Sequence, residues 1–163
     1  MSELFDGQCF CGSVRFRMKG RPMFIHCCHC RDCQRQVGSA FAVNGLIEGD
    51  RLELIAGAPE ATEMQTDSGY PHDVYRCPDC QSALWSDYGR RPWLRFVRMT
   101  TLDRAADFTP DVHIYTRSKL PWVVLPADAR AFGDYYDMAS EWPEDSLRRR
   151  KAAQAAAQNE TTN

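Results

Sequence analysis

The cysteines are the feature of this sequence that most restricts its fold. All eight fall into three short groups. The groups are Cys9 and Cys11, then Cys27, Cys28, Cys30 and Cys33, then Cys77 and Cys80. A turn that carries two cysteines so close together can hold two thiolates about one zinc ion, which takes four ligands in a tetrahedron. The grouping therefore predicts zinc knuckles around which the remaining chain folds.

Disulfide bonds are the other common use of so many cysteines. A pair spaced like Cys9 and Cys11 can hardly close on itself. The segment Met1–Cys9 lacks the basic and then apolar pattern of a secretory leader, and the sequence contains no apolar run long enough to span a bilayer. We therefore expect a cytoplasmic protein whose cysteines bind metal, with no membrane partner.

The residues alone leave two ways of pairing the cysteine groups. Joining Cys30 and Cys33 to the third group gives an ordinary zinc ribbon and leaves the first group to find other partners. Joining the first group to the third closes one four-cysteine site and isolates Cys28, Cys30 and Cys33. Such a three-ligand site keeps its fourth position for water or a substrate, as catalytic zinc sites do.

Short segments of alternating apolar and polar residues run through the chain and predict β-strands. Val14, Phe16 and Met18, for example, would share one face of a strand, and the basic residues between them would share the other. We predict strands at residues 14–19, Phe41–Ile47, Arg51–Ala56, Asp73–Arg76, Trp93–Met99 and Val112–Tyr115. The predicted fold is therefore mainly β and antiparallel.

Two segments are predicted to be helical. The first is Cys30–Val37, with Gly38 as its C-cap, and the second is Glu144–Gln158. We interpret the basic cluster Arg148–Lys151 of the second helix as a solvated face. Residues 159–163 are expected to be disordered.

The composition is that of an ordinary globular domain. The 163 residues are 44% hydrophobic and 26% charged, with a formal net charge of -2. Because there is no overall positive field, nucleic acid is not expected as a partner. We expect a zinc-binding domain at residues 1–140 and a helix with a disordered tail at 141–163, and no feature indicates an oligomeric state.

Four stretches of this sequence resemble one known family, the glutathione-dependent formaldehyde-activating enzymes, which includes centromere protein V. The similarity extends from about Gly7 to Tyr136. The stretches are GQCFCGSVRF from Gly7, CHCRDCQRQVGSAF from Cys28, CPDCQSALW from Cys77 and HIYTRSKLPW from His113.

The resemblance implies the β-tent fold, in which two antiparallel sheets pack together, and it implies two zinc ions per chain. The structural zinc would be bound by Cys9, Cys11, Cys77 and Cys80. The catalytic zinc would be bound by Cys28, Cys30 and Cys33, and these are the residues expected to support catalysis. The resemblance thus selects the second pairing of the cysteine groups.

The chemistry implied by the resemblance is that of a carbon–sulfur lyase with glutathione as co-substrate. An example is formation of S-hydroxymethylglutathione from formaldehyde and glutathione, and a related thiol adduct is another small-molecule substrate of this class. A zinc ion with three thiolates carries a formal charge of -1, so it acidifies water weakly but binds a fourth thiolate well. Of the neighbouring residues, His29, Arg31 and Arg35 are candidates for binding the substrate.

The sequence departs from the family pattern at two places. Gln81 stands where many members have a glycine that permits a positive φ. Cys27 is an additional cysteine, which we expect to be buried without binding the catalytic zinc, although either Cys27 or His26 as a fourth ligand would close the three-cysteine site. A closed site would favour the alternative function, a non-catalytic zinc-stabilised module that binds a protein, nucleic acid or small ligand.

Overall fold

Two open β-sheets form the body of the protein, whose computed structural model describes residues 3–66 and 68–161. The small sheet contains β1 (Leu4–Gln8), β2 (Arg15–Lys19) and β5 (Leu52–Ala56), in the order β1-β2-β5. The large sheet contains β3 (Phe24–Cys28), β4 (Ala42–Glu48), β6 (Glu60–Met64), β7 (His72–Arg76), β8 (Ala83–Tyr88), β9 (Leu94–Arg98) and β10 (Val112–Ile114). Its order is β10-β3-β4-β9-β8-β7-β6.

This arrangement confirms the predicted mainly β fold of two packed sheets with a C-terminal helix. It adds one difference from the prediction of antiparallel sheets, because β10 pairs with β3 in the parallel sense. The remaining neighbours in the two described sheets are antiparallel. The strand β10, which carries His113, has three residues. It is joined to β3 by the parallel pairing, which is slightly less stable per residue than the antiparallel one.

The main hydrophobic core lies between the two sheets. On β2 the predicted alternation holds, with Phe16 and Met18 buried and Arg15 exposed. Phe16 packs edge-on against Trp85 of the large sheet, with their ring centroids 5.5 Å apart. Burial of such aromatic rings supplies much of the free energy that holds the sheets together.

The other face of the large sheet is covered by the C-terminal part of the chain, which includes α2 (Met138–Glu141) and α3 (Glu144–Thr161). Trp142 stacks on Phe24 with ring centroids 5.1 Å apart. Its indole N–H donates to the hydroxyl of Tyr136, 2.7 Å away, and that hydroxyl lies 2.5 Å from Nε2 of His26. The segment beyond residue 140 thus packs against the sheet, while the division of the chain at that residue stays a prediction.

The helix α3 corrects the interpretation of its basic cluster. Arg148 and Lys151 are exposed, but Arg149 is bound through both ends of its guanidinium to the carboxylate of Glu48, with N–O distances of 2.7 Å. The guanidinium of Arg150 lies 5.3 Å from the ring of Trp93. Half of this cluster therefore anchors the helix to the sheet.

The ends of the helices also bear on the predictions. The helix α1 (Arg31–Val37) ends at the predicted C-cap Gly38, with a φ of 61°, but it begins one residue later than predicted because Cys30 is its N-cap. The helix α3 continues through Thr161, so residues 159–161 are helical where disorder was predicted. Residues 162 and 163 lie outside the described residues. Among the described helices, none has the length and apolar character needed to cross a membrane.

The contact between Arg149 and Glu48 gives a test of how α3 is held. Glu48 is 5% exposed, so an Arg149→Met variant leaves a buried carboxylate without its main partner. We expect a loss of about 2 kcal/mol in the free energy of unfolding, measured by urea denaturation at saturating zinc. The neighbouring Arg148→Met variant is the control, and its exposed ion pair predicts a change of less than about 0.5 kcal/mol.

The same comparison has a predicted pH dependence. Burial opposes the charge of Glu48, but the bonds from Arg149 hold the pKa of this carboxyl below its usual range. A lowered pKa in the folded state means that the stabilisation is present above the ordinary pKa of glutamate and is lost as the pH falls through the folded value. The difference in the free energy of unfolding between Arg149→Met and the unsubstituted protein should shrink in acid. A difference that does not change with pH would contradict the ion pair of Arg149 with Glu48 as its cause.

Candidate metal centres

The first and third cysteine groups meet at one end of the sheets. Cys9 and Cys11 follow β1 of the small sheet, whereas Cys77 and Cys80 lie in the turn between β7 and β8 of the large sheet. The four sulfurs lie within 4.8 Å of one another. The structure therefore brings together the two groups that the second pairing scheme joins.

The distances in this four-cysteine cluster fit a tetrahedral zinc site. The sulfurs of Cys9 and Cys11 are 3.5 Å apart, and those of Cys11 and Cys77 are 3.7 Å apart. With Zn–S bonds of about 2.3 Å, the sulfurs of a tetrahedron lie about 3.8 Å apart. A disulfide would require about 2.05 Å. The donors therefore suit a zinc ion.

Hydrogen bonds around the four-cysteine cluster favour thiolates. The backbone N–H of Val14 donates to the sulfur of Cys9 over 3.3 Å. The hydroxyl of Ser82 lies 3.2 Å from the sulfur of Cys80 and helps to lower the pKa of that thiol to about 5. Thiolates are the form in which cysteine binds metal.

A second cluster contains Cys28, Cys30 and Cys33, whose sulfurs also lie within 4.8 Å of one another. Cys28 is the last residue of β3, Cys30 is the N-cap of α1 and Cys33 lies in its first turn. We call these three residues the tripod. The cap geometry directs the backbone N–H of Cys33 to the sulfur of Cys30, 3.3 Å away.

The tripod is partly accessible and favours a thiolate at Cys30. Hydrogen bonds from the thiols of Cys28 and Cys33 hold the pKa of Cys30 far below its usual range. Cys28 is buried, but Cys30 and Cys33 are partly exposed. Three cysteine sulfurs with one accessible side suit a zinc ion that keeps a position for an exchangeable ligand.

Comparison with known proteins identifies the family of this chain. The sequence profile of the family described as glutathione-dependent formaldehyde-activating enzyme matches residues 4–118. The chain belongs to that family.

Two individual proteins are similar to this chain. A Halomonas elongata protein is 30% identical over 148 residues, which cover 85% of this chain and 94% of the relative. That relative carries the provisional name glutathione-dependent formaldehyde-activating enzyme. A crystal structure of a Rhodobacter sphaeroides protein is 20% identical and has a TM-score of 0.45, and the match covers 61% of this chain and 88% of that one.

The two residues that could close the tripod point elsewhere. Nε2 of His26 is engaged with the hydroxyl of Tyr136, and burial lowers the pKa of this imidazole to about 3. Cys27 lies between the tripod residue Cys28 and His26 in β3, so its side chain projects from the opposite face of the strand. Within the described residues, neither one belongs to the tripod cluster.

The predicted substrate residues occupy different environments. Arg31 and Arg35 are exposed on α1 and line a cavity of about 610 Å³ together with Trp122. The tripod sulfurs do not line this cavity, although Cys33 lies on the same helix. His29 is fully buried, with Nε2 3.1 Å from Nδ1 of His113. The roles of all three toward a substrate stay predictions.

Arg98 is a site residue that the sequence reasoning missed. It is 4% exposed and donates hydrogen bonds to two neutral amide oxygens, those of Asn44 and Gln36. Burial lowers the pKa of this guanidinium, and the sulfurs of Cys33, Cys28 and Cys30 oppose that effect. A buried cation requires a compensating anion, and here the tripod provides it. One signal in the sequence could have indicated its burial: by the alternation of β9, Arg98 lies on the same face as the apolar residues Leu94 and Phe96.

Tyr115 is the second missed residue. It follows Ile114, which pairs with Cys28, and it has a φ of 54°, a conformation that is rare for a bulky side chain. Burial is the main cause that raises the pKa of the Tyr115 phenol to about 12, so it stays protonated at neutral pH. Strained residues of this kind cluster at functional sites. Tyr115 packs against the same hydrophobic cluster as the tripod cysteines, so its hydroxyl is a candidate proton donor.

Gln81 keeps the loop shape that glycine gives other family members. Its φ is 60°, and its side-chain amide donates to the carbonyl of Pro78 over 2.9 Å. A left-handed conformation costs a residue other than glycine about 1–2 kcal/mol. Gln81 therefore departs from the family pattern in residue type but keeps the left-handed backbone conformation at this position, at a cost in backbone strain.

This strain predicts the effect of substitutions at position 81. A Gln81→Gly variant should gain about 0.5 kcal/mol in the free energy of unfolding, because the relief of strain exceeds the additional chain entropy of glycine. Gln81→Val should lose at least about 1 kcal/mol, since a β-branched residue resists positive φ. Urea denaturation at saturating zinc measures both, with Gln81→Asn as a control that tolerates the conformation. Equal stability of the glycine and valine variants would contradict the assigned strain.

Proposed function

We propose that this protein is a zinc-dependent carbon–sulfur lyase that acts on glutathione or a related thiol adduct. Family membership supports the coarse assignment to glutathione and formaldehyde chemistry. The finer assignment is carried by one observation, the partly accessible tripod with no fourth protein ligand among the described residues. The reaction we propose joins the thiol sulfur to the carbon of formaldehyde, and the thiol proton passes to the carbonyl oxygen.

The two clusters have different roles in this proposal. Cys9, Cys11, Cys77 and Cys80 would hold a structural zinc, because four cysteines complete its tetrahedron. Cys28, Cys30 and Cys33 would hold a catalytic zinc. When bound there, the ion supplies Lewis acidity that lowers the pKa of an incoming thiol and fixes its sulfur.

The surrounding residues of the chain manage charge and protons. Arg98 offsets the negative charge that grows when a thiolate joins the three cysteines. The phenol of Tyr115 is protonated, so it can donate a hydrogen bond to the carbonyl oxygen that becomes a hydroxyl. Trp122, 71% exposed, and the arginines of α1 border the cavity that would receive the peptide part of glutathione.

Replacing Cys30 tests the catalytic role of the tripod. We expect Cys30→Ser to lose one zinc per chain and to lower the enzyme-dependent rate of S-hydroxymethylglutathione formation by more than about 100-fold, since even residues that support a metal ligand contribute 10–100-fold. The rate is measured after subtraction of the uncatalysed reaction, and zinc by mass spectrometry. The Cys11→Ser variant removes a ligand of the other cluster and should reduce stability more than the rate per folded molecule.

An unchanged rate in a folded Cys30→Ser protein would refute the proposed catalytic role. If glutathione leaves the metal at the tripod undisturbed in the unsubstituted protein, the alternative of a zinc-stabilised binding module is favoured. Cobalt substitution makes this visible, because a fourth thiolate changes the absorption spectrum of the bound ion.

The arginines of α1 give a separate test of substrate recognition. Arg31→Ala and Arg35→Ala should each raise the KM for glutathione by about 10-fold, because each removes a charged hydrogen-bond donor to a carboxylate. The KM for a thiol without carboxylates should not change. Arg15→Ala, an exposed arginine of the small sheet, is the control. Equal effects on both thiols would contradict recognition of carboxylates.

A further inference from the structure

A third cluster of metal-binding side chains lies behind the tripod. In the segment from Cys27 to Cys30, alternate residues point to opposite sides, so Cys27 and His29 lie together on the side away from Cys28. His113 on the neighbouring strand β10 stands directly opposite Cys27 in the parallel register. The topology thus brings one cysteine and two histidines from two strands to a single point.

The distances within this cluster are those of metal ligands. The sulfur of Cys27 lies 3.6 Å from Nε2 of His29, and that nitrogen lies 3.1 Å from Nδ1 of His113. Zinc bonds of about 2.3 Å to sulfur and about 2.0–2.1 Å to nitrogen place tetrahedral ligand atoms about 3.3–3.6 Å apart. These two separations are therefore close to those that a tetrahedral zinc ion requires, and all three donor atoms lie within 4.8 Å of one another.

Hydrogen bonding alone accounts for His29 less well. Its ring is fully buried, and its Nε2 faces both the sulfur of Cys27 and Nδ1 of His113. One ring nitrogen has a single lone pair or a single N–H, so it cannot form two good hydrogen bonds at once. A metal ion between the three side chains would accept a lone pair from each of them.

We propose that Cys27, His29 and His113 form a third metal site, which binds Zn²⁺ through one thiolate and two neutral imidazoles. The site shares no donor with the tripod or with the four-cysteine cluster. His113 is only partly buried, so solvent can supply a fourth ligand.

The position of the site in the fold indicates what it does. The strand β10 has three residues, and its pairing with β3 is parallel. On its other side His113 donates to the carbonyl of Arg130 and accepts from the N–H of Phe132. A metal ion bound by β3 and β10 together would add a side-chain link across the parallel pairing, and it would restrict the position of Tyr115, which follows β10 directly.

Zinc stoichiometry tests the proposal. The full chain is loaded with excess zinc, freed of unbound metal by gel filtration, and weighed by native mass spectrometry. We expect three ions in the unsubstituted protein and two in His113→Asn. The control is His72→Asn, which replaces a histidine outside all three clusters and should keep three ions.

A second variant and a second measurement keep the test decisive. Cys27→Ser should lose the same single ion, and the double variant should lose no more than one, because both residues serve one site. Hydrogen exchange of the β10 backbone should become faster in each variant. The proposal is overturned if the unsubstituted protein binds only two ions while both cysteine clusters are full, or if His113→Asn retains three. This result does not depend on the proposed activity, which is tested at Cys30.

Discussion

The structure depends on four sulfurs that lie between two sheets. Two of them come from the turn after β1 and two from the turn before β8, so a zinc ion at this cluster would connect the small sheet to the large one. Cys11 and Cys77 are 66 residues apart in sequence, and a bond that closes such a long loop removes much conformational freedom from the unfolded chain. The hydrophobic core around Phe16 and Trp85 would then pack between two sheets whose relative position the zinc ion restricts.

The proposed site would be organised by charge as well as by shape. The sulfurs of Cys33, Cys28 and Cys30 oppose the effect of burial on the pKa of Arg98, so this cation and the tripod favour each other's charged forms. Without that cation, a fourth thiolate would face an uncompensated anion in a region of low dielectric constant. The same balance would work against permanent capture of the fourth ligand, because the total charge of the filled site would stay moderate.

The sequence predicts the parts of the fold that local patterns control. Strands with one buried face, such as β2, show alternation, and Gly38 marks the end of α1. The strand β3 shows none, because all five of its residues are buried, and β6 is polar throughout most of its length. The strand β8 pairs with β7 through an irregular register. Such strands depend on their neighbours rather than on their own sequence.

The candidate sites divide in the same way. Clustered cysteines can be recognised by spacing alone, and the family resemblance supplies their pairing. Nothing in the spacing of His113 assigned it chemistry, and Arg98 carried no signal beyond its place on an apolar strand face, since the topology of the sheet brings their neighbours close. The anchoring role of Arg149 was hidden for the same reason, because Glu48 lies 101 residues away in the sequence.

In the proposed reaction, the helix α1 would carry both kinds of group that a thiol substrate meets. Cys30 and Cys33 stand at its start, and Arg31 and Arg35 are exposed on the same short helix. With a rise of about 1.5 Å per residue, the whole helix is only about 10 Å long. A rigid element would thus limit the distance between the sulfur-binding end and the bases of the two arginine side chains. A thiol would then be selected by the distance from its sulfur to its carboxylates, before any of its other features.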